Sequence, residues 1–309
     1  PGKTIPLPVA EIVMQCLAKD SQQRPSAQKI LQVLEKELSG IGMPSYIGIL
    51  GSRGSGKTCY LTSLCHEAEL TTPQTKNILE DKYLELYEKG ILPSATALSA
   101  YRLHFRITNG KKSYDIVTKD YGGELLEGRR EQQPGMDKEL LQEKRDEVYE
   151  FFQSARGILI VIETKPANQA LANLTNYRNE VYSLTQRIAN VHKGIRKVQV
   201  PVALVLTKWD RQGNISWNPE TERKKALEYI AQTGWLASLY QHLQTLCPYL
   251  EVFPVFSFVG DKPNLSNIRP FNIYAPLTWA SDQADHCLWE KCRSFHEENP
   301  AEYHEILEN

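Results

Sequence analysis

Apolar positions along the chain alternate between two periods. Residues 46–50 form a short apolar run that ends in Gly51, and Leu61, Leu64, Cys65 and Ala68 then recur at the i, i+3, i+4, i+7 spacing of one helix face. Residues 101–107 and 114–118 predict two strands joined by a tight turn at Asn109-Gly110. Residues 137–155 predict a helix, and 157–162 a strand apolar enough to be buried on both faces. A long helix follows, with Leu174, Tyr177, Val181, Leu184 and Ile188 on one stripe, and then a strand at 202–206. Asn218-Pro219 opens a further helix, Asn as its cap and Pro at its first position. Residues 252–256 predict a last strand and 277–296 a closing helix. Buried strands alternating with helices predict an α/β fold: a mainly parallel sheet covered on both faces, with one antiparallel strand from the hairpin.

The first 38 residues stand apart. Ile12, Val13, Cys16 and Leu17 make one apolar helix face, and Ser26 can cap a second helix carrying Ile30, Leu31, Leu34 and Leu38. So short a segment cannot close a core alone and is expected to dock on something. Gly40, Gly42 and Pro44 mark a linker, taken as residues 39–45.

Composition narrows the class. Hydrophobic residues make up 41% and charged residues 24%, an ordinary globular balance. The 36 basic and 37 acidic side chains leave a net charge of −1, so the whole chain shows no basic footprint for nucleic acid. No apolar run reaches the roughly 18 residues of a membrane-spanning helix, and the start lacks a signal-peptide core. The first residue is Pro, which leads to the expectation of a fragment of a longer chain. The six cysteines form no Cys-x-x-Cys pair, and cytosolic free thiols are expected. Cys287 and Cys292, with His286 and His296 nearby, suggest a metal site only superficially, because on one helix the two thiols lie about 140° apart.

Three strings carry chemistry. Gly51-Ser52-Arg53-Gly54-Ser55-Gly56-Lys57-Thr58 matches G-x-x-x-x-G-K-[ST] and falls between an apolar strand and an amphipathic helix, where a backbone that wraps phosphates belongs. Lys57 would reach the β- and γ-phosphates and Thr58 would bind Mg2+. Thr207-Lys208-Trp209-Asp210 follows a strand: Asp210 offers two acceptor oxygens to guanine N1–H and its exocyclic amine, and Lys208 can lay its stem along the base. Asp120-Tyr121-Gly122-Gly123 also follows a strand, where Asp120 would hold Mg2+ through water and the Gly123 N–H would meet the γ-phosphate.

In this order the three strings make residues 46–296 resemble a Ras-like GTPase domain of the P-loop class, a three-layer α/β fold. The resemblance implies GTP and GDP as ligands, Mg2+ as cofactor and slow hydrolysis. It extends the nucleotide contacts from Gly51 through Cys59 and on to Thr207, Lys208 and Asp210. The loop that touches the base would fall at Ser257, where the chain reads Phe256-Ser257-Phe258 rather than the family's Ser-Ala. The threonine that closes the first switch over the metal is assigned to Thr96, with Thr71, Thr72 and Thr75 as rivals.

The chain also departs from that family. Glu124 stands where Gln usually orients the attacking water, and Arg53 where Gly is usual. Arg53 either offsets the Glu124 charge as an internal arginine finger or points to solvent. Extra length at 71–99 and around 128–144 flanks both switches, as long functional or mobile loops do.

Residues 1–38 resemble the last two helices of a Ser/Thr protein kinase C-lobe, through Cys16-Leu17-Ala18-Lys19-Asp20 and Arg24-Pro25-Ser26-Ala27. The kinase catalytic motifs are missing. The expected order is a kinase remnant at 1–38, the linker, the GTPase domain at 46–296 and a tail at 297–309. The expected setting is a cytoplasmic switch attached to a kinase, with effector and regulatory proteins unidentified and a homodimer left open. Two rivals stand beside it: a regulatory module that binds nucleotide without turnover, and a P-loop ATPase.

Overall fold

A seven-stranded mixed sheet, mostly parallel, organises the chain in the order β2-β3-β4-β1-β5-β6-β7. The computed structural model describes residues 12, 15–16, 24–26, 45–51, 54–65, 68–93, 101–109, 112–121, 138–165, 200–260, 262–264 and 266–298. The strands are β1 (Ser45–Leu50), β2 (Glu69–Leu70), β3 (Tyr101–Asn109), β4 (Lys112–Asp120), β5 (Gly157–Glu163), β6 (Val202–Thr207) and β7 (Leu250–Pro254). The helices are α1 (Lys57–Leu64), α2 (Pro73–Tyr83), α3 (Lys138–Gln153), α4 (Pro219–Gln232), α5 (Gly234–Leu246) and α6 (Ala275–Glu298). Two compact units divide the chain: Ser45–Cys287, which holds the sheet, and Pro1–Pro44 with Leu288–Asn309. In the second unit Ile12, Gln15 and Cys16 are helical, with Ile12 buried, and Arg24 to Ser26 are not helical.

Strand alternation sorts the core into two faces. Ile158, Ile160 and Ile162 of β5 and Val202, Leu204 and Leu206 of β6 pack with Val148 and Phe152 of α3, Ala226 of α4 and Leu239 of α5. The intervening Leu159, Val161, Ala203 and Val205 pack with Tyr60 and Leu61 of α1, Leu79 of α2 and Leu277 of α6. Helices therefore cover both faces, as the unbroken apolar runs of β5 and β6 require. β1 pairs in parallel with β4 and β5, and β5, β6 and β7 continue in parallel. β3 runs against β2 and β4. The C-terminal ends of β1, β4, β5 and β6 therefore lie along one edge, where open α/β sheets bind ligands.

Several expectations need correction. Residues 71–99 are not one long loop, because they hold α2 and a π-helical turn at Leu84–Glu88. Thr72 caps α2, accepting a hydrogen bond from the Thr75 N–H at 3.2 Å, and Pro73 follows as its first residue. The two-residue β2 lies just before α2. The hairpin turn is one residue later than expected, since Asn109 still pairs with Lys112. Helix 1 closes at Leu64, and Ala68 follows it, donating its N–H to the Leu64 carbonyl at 3.0 Å. The helix after Asn218 breaks at Thr233, which is extended (φ −97°, ψ 91°) and starts α5. β7 starts and ends two residues before the predicted strand, since Phe256 leaves the sheet to pair with Phe271, their rings stacked at 5.1 Å. The expected helix carrying Leu174 to Ile188 lies outside the described residues.

Candidate functional site

The phosphate-loop string leaves β1 at its C-terminal end. A Cβ on Gly51 would lie 2.6 Å from Ser55 Oγ and 2.8 Å from the Val161 carbonyl oxygen, so the close approach of β5 demands glycine. Gly56 caps α1 at φ 90°, in the left-handed region. Lys57, nearly buried, donates from Nζ to the Gly51 carbonyl at 2.5 Å and lies 5.7 Å from the centre of the Tyr121 ring. Tyr121 is fixed in turn, its hydroxyl donating to the Ile49 carbonyl at 2.7 Å. The Ser55 hydroxyl is fully buried with no hydrogen-bond partner among the described residues. Ser52 and Arg53 lie outside the described residues.

The second string is clasped onto the first. The Thr207 hydroxyl donates to the Ser55 carbonyl at 2.5 Å, and Lys208 Nζ donates to the Gly54 carbonyl at 3.2 Å. The Thr164 hydroxyl contacts the Thr207 and Lys208 carbonyls at 2.7 and 2.8 Å. Lys208 holds a left-handed backbone (φ 56°), uncommon for a residue with a side chain. Glu163, at the end of β5, takes Lys208 Nζ at 2.6 Å, Lys165 Nζ at 2.6 Å and Arg211 at 3.1 Å. Burial alone would raise the Glu163 carboxyl. The hydrogen bonds and charges of Lys165 and Lys208 outweigh it and hold the pKa below the usual carboxylate value.

Beyond Lys208, Trp209 turns inward, 1% exposed, and donates Nε1–H to Glu222 of α4 at 2.6 Å. Glu222 also accepts from the Ser216 N–H and from Lys225. Its carboxyl behaves like that of Glu163, with burial opposed and outweighed by these bonds. Asp210 Oδ2 accepts the Gly260 N–H at 2.8 Å. Ser257, nearly buried, donates to the Cys59 carbonyl at 3.4 Å and so ties this loop to α1.

Asp120 ends β4, 1% exposed, and its Oδ2 lies 3.1 Å from Lys82 Nζ of α2. Thr58 is half-buried in the first turn of α1. Thr58 hydroxyl and Asp120 carboxylate oxygens are the hard donors that Mg2+ takes, and Asp120 already receives a cation in Lys82, so these residues fit that ion. Among the described residues no three His, Cys, Asp or Glu side chains gather as a metal cluster. Of the rival switch threonines, Thr75 is buried and accepts the His104 N–H at 2.9 Å, and Thr72 caps α2, so the fold uses both. Thr71 donates its N–H to the His104 carbonyl at 3.2 Å. Thr96, Gly122, Gly123 and Glu124 lie outside the described residues. Burial pushes the Cys59 thiol up to about 11 against the charges of Lys208 and Lys82, which keeps it protonated.

The structure thus ties Gly51 to Lys57, brings Gly54, Ser55 and Gly56 against Thr207 and Lys208, and links Cys59 to Ser257, while Asp210 contacts Gly260. The sequence reading missed Glu163, Glu222, Tyr121, Lys82 and Gly260. An acidic residue closing a buried apolar strand was the available signal for Glu163. Trp217 is 47% exposed and packs edge-to-face with Phe256 and Phe271. No helix among the described residues is long and apolar enough to cross a membrane. No protein-family model matches the chain, and a search of curated proteins finds no match to it.

Proposed function

We propose that the chain is a guanine-nucleotide-binding switch of the Ras-like P-loop class that hydrolyses GTP to GDP and phosphate on a scale of minutes or slower. The carrying observation is the clasp by which Thr207 and Lys208 hold the carbonyls of Ser55 and Gly54, across 152 and 154 residues. It joins a candidate base reader to a candidate phosphate cradle in one mouth at the carboxyl edge of the sheet. A nucleotide spans such a distance with its base at one end and its phosphates at the other.

In this reading the loop from Gly51 to Thr58, with Cys59, wraps the phosphates, and Lys57 swings from the Gly51 carbonyl to the β- and γ-oxygens. Bound Mg2+, held by Thr58 and by Asp120 through water, would neutralise phosphate charge. Thr96 would help hold it, the Gly123 N–H would meet the γ-phosphate and Glu124 would orient the attacking water. Arg53 offsets the charge of Glu124 if it folds inward. The stem of Lys208 covers the base while Asp210 takes its two donors, and Ser257 frames the base loop. The setting is the cytoplasm, beside an attached kinase to which residues 1–38 belong, with effectors and regulators to be found.

Asp210→Asn tests the base assignment. Asn offers one donor and one acceptor, which suit xanthine N1–H and O2 and mismatch guanine. The variant is expected to bind GDP at least about tenfold more weakly and XDP more tightly, by titration of both nucleotides against both proteins. Unchanged affinities in the wild-type order would remove Asp210 from the base site and favour the ATPase reading.

A further inference from the structure

Lys82 reaches Asp120 from an element that the fold anchors firmly. Thr72 caps α2, the buried Thr75 hydroxyl accepts the His104 N–H of β3, and Leu79 is fully buried in the core. The last turn of the helix delivers Lys82, whose side chain is 12% exposed, to a carboxylate 1% exposed, with Nζ 3.1 Å from Oδ2. Lys82 therefore contacts one of the two groups assigned to the metal.

We propose that Lys82 is a built-in counter-cation of the nucleotide site, holding Asp120 in place of a divalent ion and surrendering it when Mg2+ arrives with nucleotide. The inference rests on the guanine-nucleotide reading and adds a regulatory coupling to it. A divalent ion and the Lys82 ammonium drawn to the same buried carboxylate repel each other in a poorly solvated site. Metal entry therefore drives the Lys82 side chain off Asp120. Lys82 lies in the last turn of α2, directly before Tyr83, which stacks on Tyr87 at 4.7 Å, and before the π-helical turn. The exchange makes this helix a sensor of the bound metal.

Two measurements on the full 309-residue chain test this. In the first, binding of a fluorescent GDP analogue is followed by anisotropy while free Mg2+ is varied, for wild type, Lys82→Met and Lys82→Arg. The half-saturating Mg2+ is expected to fall about tenfold in Lys82→Met, a coupling of ordinary size. Lys82→Arg, which keeps the charge, should stay near wild type. A Lys82→Met protein that binds GDP with an unchanged or higher Mg2+ requirement overturns the competition while leaving the nucleotide reading standing. A wild type that binds no GDP at any Mg2+ overturns both. The second needs no variant: amine acetylation of wild type is read by mass spectrometry with GDP, in Mg2+ or in chelator. Modification of Lys82 is expected to rise several-fold with Mg2+, and equal modification under both conditions overturns the proposal.

Discussion

On the side proposed to read the base, three hydrogen bonds between a side chain and a backbone group tie the loop: Thr207 to Ser55, Lys208 to Gly54, and the Gly260 N–H to Asp210. Beneath it Trp209 is sealed on Glu222. On the side proposed to bind the metal, Asp120 forms an ion pair with Lys82. Thr207 and Asp210 are tied by a short hydroxyl and a carboxylate to backbone groups, which are fixed partners, whereas Lys208 and Lys82 hold through ammonium groups on four carbons, which can leave. In the proposed function the two regions have two tasks: a base reader gains discrimination from rigidity, and a phosphate sensor must rearrange.

The largest effect should come from undermining the rigid half. Trp209→Ala removes a ring at 1% exposure and leaves the buried Glu222 carboxylate without its indole donor. A stability loss of about 3–5 kcal/mol is expected in urea unfolding. A loss under about 1 kcal/mol would mean that the base loop is not held from below.

Lys57→Ala acts on the phosphate half. Removing its charge should weaken GDP binding by about 2–3 kcal/mol, the scale of a charged hydrogen bond, measured by equilibrium titration. Unchanged affinity would show that the loop does not meet phosphate.

The smallest effect is set by pH. The folded Glu163 pKa lies below its reference value of 4.5, so its contribution is complete above 4.5 and is lost as pH falls through the depressed folded value. Glu163→Gln should therefore lower stability at neutral pH by less than about 1 kcal/mol, the difference from wild type closing as pH falls through the folded value. An acid limb identical to wild type would show that its three cations add nothing to the clasp.

The sequence made legible what is contiguous. The phosphate-loop string, the strand ends before Asp120 and Asp210, and the Asn218-Pro219 helix start are all written within a few residues. The clasp was hidden because its acceptors are backbone carbonyls more than 150 residues away, which no side-chain pattern marks. The Lys82–Asp120 pair was hidden for a related reason, its members 38 residues apart and one of them on an unrecognised helix. α2 presents only Thr75 and Leu79 as buried positions, too few for a stripe, although Thr72-Pro73 spelled its start. β2 has two residues and no period to read, and apolar residues run on past Pro254, so composition alone could not end β7 there.

The account turns most directly on whether the clasped site reads guanine. Wild-type protein titrated calorimetrically with GDP and with ADP, each with Mg2+, is predicted to bind GDP at least about 100-fold more tightly, because adenine lacks the paired N1–H and 2-amino donors that guanine offers to Asp210. Equal affinities, or tighter binding of ADP, would contradict it.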